Sequence, residues 1–157
     1  MSRWRRCRSS LARRLAVFAV SAIGLEIFLG VGAIGGGAAL MLGPRGEIIP
    51  LPVSALAETP FGSYLVPGLI LFTVLGVGPL GAAALAWHRH PIAPLLALGV
   101  GLALLIWIAV QIALIGYSSD PPLQAVYLVL GFVIALVGLG WLRQVGRIPG
   151  RWSALRQ

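Results

Sequence analysis

The chain has 157 residues, of which 59% are hydrophobic and only 10% are charged. A soluble domain of this composition would lack the polar residues needed to cover its surface, so the composition excludes a soluble globular protein and indicates a lipid environment. All 12 basic residues are arginine, and because they flank apolar runs without forming a polar domain, we expect anionic lipid head groups rather than nucleic acid as their partners.

A basic segment, residues 1–14, with six arginines and no acid, precedes an apolar stretch over 15–42. That order is typical of a signal peptide, but the stretch is about twice as long as a secretory hydrophobic region of roughly 7–15 residues. We therefore predict a retained first transmembrane helix, with cleavage near Gly37 as the alternative. The single cysteine, Cys7, is predicted to be a free thiol in the reducing cytoplasm, and lipid attachment is its alternative role.

Three further apolar segments each have about the 20 residues needed to cross a hydrocarbon core of about 30 Å. They cover residues 65–86, 95–116 and 123–142. The connecting outer loops are residues 43–64, where a short interfacial helix is predicted from Ser54 to Glu58, and residues 117–122. The predicted fold is an all-α membrane protein of one domain, a four-transmembrane-helix bundle whose basic ends, residues 1–14 and 143–157, are both cytoplasmic.

The arginine distribution predicts this orientation. With the N-terminus inside, 11 arginines are cytoplasmic and only Arg45 is outside, in agreement with the positive-inside rule. Tyr64 and Tyr117 then lie at the outer interface, and four tryptophans lie at or beyond the inner one. Arginines near the inner interface are predicted to contact lipid head groups: Arg13, Arg14, Arg89, Arg143 and Arg147. The alternative for the basic ends is a docking surface for a partner.

Small residues recur at four-residue spacing within the spans, a pattern that lets helix backbones approach closely. The pairs are Gly32/Gly36, Ala33/Gly37, Gly78/Ala82, Gly99/Ala103 and Gly131/Ala135. Packing within the bundle is the leading interpretation, and dimerisation is the alternative. Pro79 lies deep in the second span and is predicted to kink it, because proline removes a helical hydrogen bond.

Glu26 is the single ionisable side chain inside the spans. No basic residue there compensates it, so we expect it to be protonated at rest and to donate a hydrogen bond to Thr73 or to a backbone carbonyl freed by Pro79. Thr73 and Trp107 are predicted at similar depth and complete a candidate intramembrane proton or ligand site. Gln111 and Tyr127 are predicted to form an interhelical polar pair.

The sequence contains no arrangement that predicts catalysis. His88 and His90 are the only histidines and have no acid or cysteine near them in sequence, so no metal site is predicted. A thiol oxidoreductase would need paired cysteines, and no Ser/His/Asp set, phosphate loop or carboxylate pair is present. We therefore expect a protein that is not an enzyme and needs no cofactor.

Two resemblances bear on function. The blocks YLVPGLILF, WIAVQIALIG and LQAVYLVLGF resemble small four-span bacterial membrane proteins of unknown function, over residues 61–136. A four-helix chain with one glutamate in helix 1 also resembles the small multidrug resistance transporters, which implies that Glu26 binds protons and cationic substrates. This chain differs from them in its longer first outer loop and its strong arginine bias, whereas those exporters work as antiparallel dimers.

The leading functional hypothesis is a non-enzymatic, multi-pass protein of the bacterial inner membrane, an accessory or structural component acting through helix packing. Its partners are then the lipid bilayer and either another membrane protein or a second copy of the chain. The alternative is a small proton-coupled transporter that uses Glu26. A water-accessible cavity reaching Glu26 favours the transporter, and a closed bundle core favours the structural role.

Overall fold

The structure is a computed structural model that describes residues 2–49, 56, 60–117 and 122–146, with side chains from residue 12 onward. Every regular element in these residues is helical, which confirms the predicted all-α fold. The four long helices are α1 (Ser2–Leu42), α2 (Leu65–Trp87), α3 (Ala93–Ile115) and α4 (Leu123–Gly146). Each contains a segment long and apolar enough to cross a membrane.

The helix ends differ from the predicted spans by more than one residue at three points. Helix α1 includes most of the basic N-terminal segment, because residues 2–23 contain no glycine or proline to stop a helix there. Helix α3 begins two residues earlier than predicted, with Pro94 in its first turn. Proline is tolerated there because the backbone N–H that it lacks would have no partner within the helix. Helix α4 continues past residue 142 to Gly146.

The helices form an up-and-down bundle in which each helix packs against its neighbours in sequence and α4 also packs against α1. The α1–α2 pair has the most extensive interface, and α3 packs mainly against α4. Of the two diagonal pairs, α1 and α3 approach each other at few positions, and α2 and α4 have no Cα atoms within 8 Å of each other among the described residues. Large apolar side chains are exposed on all four helices, as expected for faces that meet lipid.

Helix α2 changes its winding in the middle. It is α-helical over Leu65–Ile70, π-helical over Leu71–Val77 and α-helical again over Gly78–Trp87. The Gly78 N–H bonds to the Thr73 carbonyl, five residues back. The wider winding gives the Pro79 ring room beside the preceding turn, so the irregularity that Pro79 predicts is present as a π-helical segment that ends just before it.

Glycines allow the closest helix contacts. A Cβ atom on Gly37 of α1 would lie 2.7 Å from the Phe72 nitrogen of α2. A Cβ on Gly138 of α4 would lie 2.8 Å from the Leu98 Cα of α3. Of the predicted small-residue pairs, Ala33/Gly37 and Gly131/Ala135 are buried inside the bundle and confirm intrachain packing. Gly99 differs, because it is exposed and a Cβ there would meet nothing within 4 Å.

Four of the five arginines with described side chains lie at one end of the bundle. Arg13, Arg14, Arg89 and Arg143 are all exposed at the end where α1 and α3 begin and α2 and α4 end, here named the basic end. At the opposite end the Arg45 N–H donates to the Glu47 carboxylate over 2.8 Å. The segregation agrees with the predicted orientation, and the side of the membrane that the basic end faces stays a prediction. Arg147 lies outside the described residues.

The two helix connections at the opposite end are described in part. The Tyr64 N–H donates to the Pro44 carbonyl over 2.9 Å and so joins the end of α1 to the start of α2. The helix predicted from Ser54 to Glu58 lies outside the described residues except for Leu56, which is buried. At the α3–α4 connection, the amide of Gln124 donates to the Gly116 carbonyl over 3.1 Å.

Candidate functional site

Glu26 is the buried acid of the bundle. Its side chain is 1% exposed, and neither carboxyl oxygen has a hydrogen-bond partner among the described residues. Buried polar atoms in proteins nearly always have a partner, because an unsatisfied one costs about 1–3 kcal/mol. The enclosure of Glu26 therefore has an energetic cost that no described contact offsets.

The surroundings of Glu26 explain the missing partner. On the buried face of α1, Glu26 lies between Ala22 and Leu29, which belong to two different apolar clusters. The lower cluster, nearer the basic end, consists of Ala22, Ala86, Ala93, Ala97, Trp141 and Val145. The upper cluster consists of Leu29, Ala33, Leu75, Leu104, Ile108 and Ile134. Apart from the Trp141 indole N–H, the buried members of the two clusters have no polar side-chain atom, and the half-buried Trp107 and Tyr127 pack against the upper cluster. The residues on either side of Glu26 along the buried face of α1 are therefore apolar.

The predicted hydrogen bond from Glu26 to Thr73 is not found. The Thr73 hydroxyl is exposed and donates instead to the Leu69 carbonyl of its own helix over 2.7 Å. Residues beside Thr73 in sequence pack against the outer part of α1, since Gly76 meets Ile34 and Gly37 meets Phe72. Thr73 is therefore two to three helical turns from Glu26, about 12 Å or more along the axis.

The depth prediction for Thr73 was wrong for a simple reason. The first apolar stretch, residues 15–42, is longer than a bilayer core needs, so a depth counted from its inner end does not match one counted from the outer end of α2. The predicted alternative, a carbonyl freed by Pro79, is also not bonded to the carboxyl. Trp107 is half-buried against the upper cluster, and no hydrogen bond joins it to Glu26.

The predicted Gln111–Tyr127 hydrogen bond is likewise not found. Both side chains are half-buried, but the Tyr127 hydroxyl is directed towards Gly32 of α1, where an added Cβ would lie 3.5 Å from it. The hydroxyl therefore lies against α1, and no hydrogen bond joins it to Gln111. Gln124, which was not predicted as a polar site, is buried and bonds to the Gly116 carbonyl. The sequence signal that could have identified it is an amide side chain in the first turn of an apolar span.

Two clefts lie near the basic end. The larger has a volume of about 650 Å³ and lies between α1, the α2–α3 turn and the end of α4. Its walls are formed by Ala12, Leu15, Ala16, Ala19, Val20, Ile23, Ala86, Trp87, Arg89, His90, Pro91, Pro94, Trp141 and Val145. The smaller, of about 330 Å³, is lined by Arg13, Arg14, Val17, Phe18 and Gln144. Glu26 lines neither cleft, although Ile23 of the larger one is one helical turn away.

Three of the five arginines predicted to contact lipid line one of the two clefts. Arg89 lines the larger cleft, and Arg13 and Arg14 line the smaller one. Arg143 is exposed in the last turn of α4 and lines neither. No group of three or more metal-ligating side chains occurs within the described part of the chain.

The arrangement permits limited chemistry. An isolated ionised carboxylate in an apolar layer is strongly disfavoured, so Glu26 is suited to hold a proton and to release it only if water or a cation reaches it.

The four apolar helices make the chain a multi-pass membrane protein. A comparison with known proteins finds no family model, no curated protein and no solved structure that matches the chain.

Proposed function

We propose that this chain is a non-enzymatic, multi-pass protein of the bacterial inner membrane that acts as an accessory or structural component. In this role its helices pack against a second membrane protein or a second copy of the chain, with the basic end in the cytoplasm. The resemblance to small four-span bacterial membrane proteins supports a location in the bacterial inner membrane. The exposed apolar faces of all four helices provide a surface that can pack against another membrane protein.

The observation that carries this proposal is the enclosure of Glu26. A transporter needs a path from water to its binding carboxyl, whereas Glu26 is 1% exposed and lines neither described cleft. Close glycine contacts such as Gly37 with Phe72 and Gly138 with Leu98 leave little free space between the helices. A closed core of this kind favours a packing role over transport.

Co-purification tests the accessory role. The tagged full chain, extracted from native membranes in a mild detergent and cross-linked beforehand, is expected to elute with one membrane protein, or with itself, at a fixed ratio. The measurement is the mass of the complex by light scattering, together with identification of the bound chains. A strictly monomeric chain without a cross-linked partner would contradict the proposal.

A small proton-coupled transporter is the second candidate, and three observations favour it. Both Glu26 oxygens lack a described partner, so no hydrogen bond within the described bundle accounts for a carboxyl at this place. The larger cleft ends at Ile23, about 4.5 Å along the helix axis from Glu26. The π-helical segment of α2 is a place where the bundle could open, since such segments often occur at functional sites.

Proton flux in liposomes separates the two candidates. Under the accessory role, wild type and Glu26→Gln should both leave an imposed pH gradient intact, because the core is closed. Under the transporter role, wild type should dissipate the gradient with its substrate present, and Glu26→Gln, which keeps the shape but cannot titrate, should be at least about tenfold slower. Glu47→Gln is the matched control, because Glu47 is exposed at the far end of the bundle and should behave as wild type.

A further inference from the structure

The larger cleft exists because small side chains line one side of α1. Ala12, Ala16 and Ala19 follow one another at helical spacing and face the α2–α3 turn across the cleft. Larger residues at these positions would fill the space. The cleft runs from Ala12 to Ile23, about 16 Å along the helix axis, and its wall becomes purely apolar away from the basic end.

The polar part of the cleft is cationic. Arg89 and His90 line it at the α2–α3 turn, and no acidic residue is among its lining residues. Arg89 has a φ of 55°, a left-handed conformation that is uncommon for a residue with a side chain and that fixes the direction in which the side chain leaves the turn. The Ile92 N–H donates to His90 Nδ1 over 3.3 Å, which leaves Nε2 as the ring nitrogen that can donate to a phosphate.

The dimensions indicate a lipid rather than a soluble anion. The length of the cleft, about 16 Å, is close to one leaflet of a hydrocarbon core of about 30 Å. Trp87, at the polar end of the cleft, is 73% exposed, as expected for a tryptophan at the membrane interface. A soluble phosphate would be held by Arg89 and His90 but would leave the apolar length of the cleft unfilled.

We propose that this cleft binds one anionic phospholipid, with its phosphate at Arg89 and His90 and one acyl chain along α1 from Leu15 to Ile23. The charge of Arg89 matches the phosphate, and the apolar wall matches the chain. The smaller cleft beside Arg13 and Arg14 lies on another face of α1 and is not part of this site. The assignment is independent of the accessory role and of the titration of Glu26.

Lipid retention measures the proposal directly. The purified full chain in mild detergent is mixed with equal amounts of phosphatidylglycerol and phosphatidylcholine of the same chain length, and bound lipid is counted by native mass spectrometry. One phosphatidylglycerol per chain is expected to remain. Arg89→Gln and Ala16→Phe should each weaken its retention about tenfold or more, by removing the phosphate partner and by filling the cleft.

Two control variants distinguish lipid binding in the cleft from a general attraction of anionic lipid to basic residues. Arg143→Gln removes an exposed arginine at the same end, and Ala84→Phe adds the same ring on an exposed position of α2 outside the cleft. Both should retain lipid within about twofold of wild type. Equal retention of phosphatidylcholine, equal loss in Arg143→Gln and Arg89→Gln, or full retention in a folded Ala16→Phe would each overturn the proposal.

A second readout covers the case in which Ala16→Phe does not fold. Phosphatidylglycerol brominated along its acyl chain should quench tryptophan fluorescence at low mole fraction, since Trp87 and Trp141 both line the cleft. Arg89→Lys keeps a positive charge that can still bind a phosphate and should retain most of this quenching, whereas Arg89→Gln should need about tenfold more lipid. Quenching that is identical in all three proteins would contradict a lipid held at Arg89.

Discussion

Replacing Glu26 by leucine is expected to stabilise the isolated bundle by about 1–3 kcal/mol, the usual cost of a buried polar group without a partner. Leucine has a similar volume and suits the apolar clusters on either side, which contain Ala22 and Leu29. The measurement is the free energy of unfolding in mixed micelles, followed by circular dichroism as a denaturing detergent is added.

Glu26→Gln is the control for this substitution. It keeps a polar group of the same shape in the same apolar layer, so its free energy of unfolding should stay within about 0.5 kcal/mol of wild type. A leucine variant less stable than wild type would mean that the carboxyl has a stabilising partner, and the apolar description of its surroundings would be wrong. A stable leucine variant that no longer assembles with a partner in cells would instead show that Glu26 is needed for assembly and not for stability.

Gly101→Ala is expected to destabilise the bundle by about 1–3 kcal/mol, the usual cost of forcing extra volume into a packed core. A Cβ atom on Gly101 would lie 2.8 Å from the Ala135 Cα and 2.9 Å from its Cβ. Real Cβ contacts are not so short, so α3 and α4 would have to move apart. For each of these two helices, the contact with the other is its largest helix–helix interface. The same unfolding measurement gives the loss.

Gly99→Ala is the matched control, two residues away on the same helix. A Cβ on Gly99 would meet nothing within 4 Å, and alanine favours the helix by up to about 1 kcal/mol, so this variant should lose no stability. If both variants lose the same amount, the effect would come from the helix itself, and the proposed contact between Gly101 and Ala135 would be refuted.

The two substitutions concern opposite features of the same core. At Gly101 the bundle is packed so closely that one methyl group is too much, whereas at Glu26 a polar group has been enclosed without a partner. Natural proteins retain unsatisfied buried groups mainly where they have a role, which makes Glu26 the most informative position for any functional assay of this chain.

The sequence alone was sufficient to predict the four helices and their approximate ends. The thickness of a hydrocarbon core sets the length of a spanning helix, and the apolar segments have that length. The arginines near Arg13, Arg89 and Arg143 also predicted the basic end, because alternating helices bring these positions to one side of the bundle. Neither inference depends on how the helices are rotated or offset.

Rotation of a helix about its axis was decided only by the tertiary structure. Four-residue spacing drew attention to Gly99 and Ala103 on α3, yet the glycine that meets α4 is Gly101. In an almost wholly apolar helix the lipid face and the buried face have the same composition, so hydrophobic periodicity does not distinguish them. The position of the Tyr127 hydroxyl, against Gly32 of α1, was not predictable for the same reason.

The relative depth of residues on different helices was the other feature that the sequence did not determine. Glu26 was identified from sequence because an acid inside a span is exceptional, but its partner was not, since the long first helix has no single entry point from which depth can be counted. The larger cleft was also absent from the sequence analysis. Its walls combine Ala16 of α1 with Arg89 of the α2–α3 turn, and only the packed bundle brings these positions together.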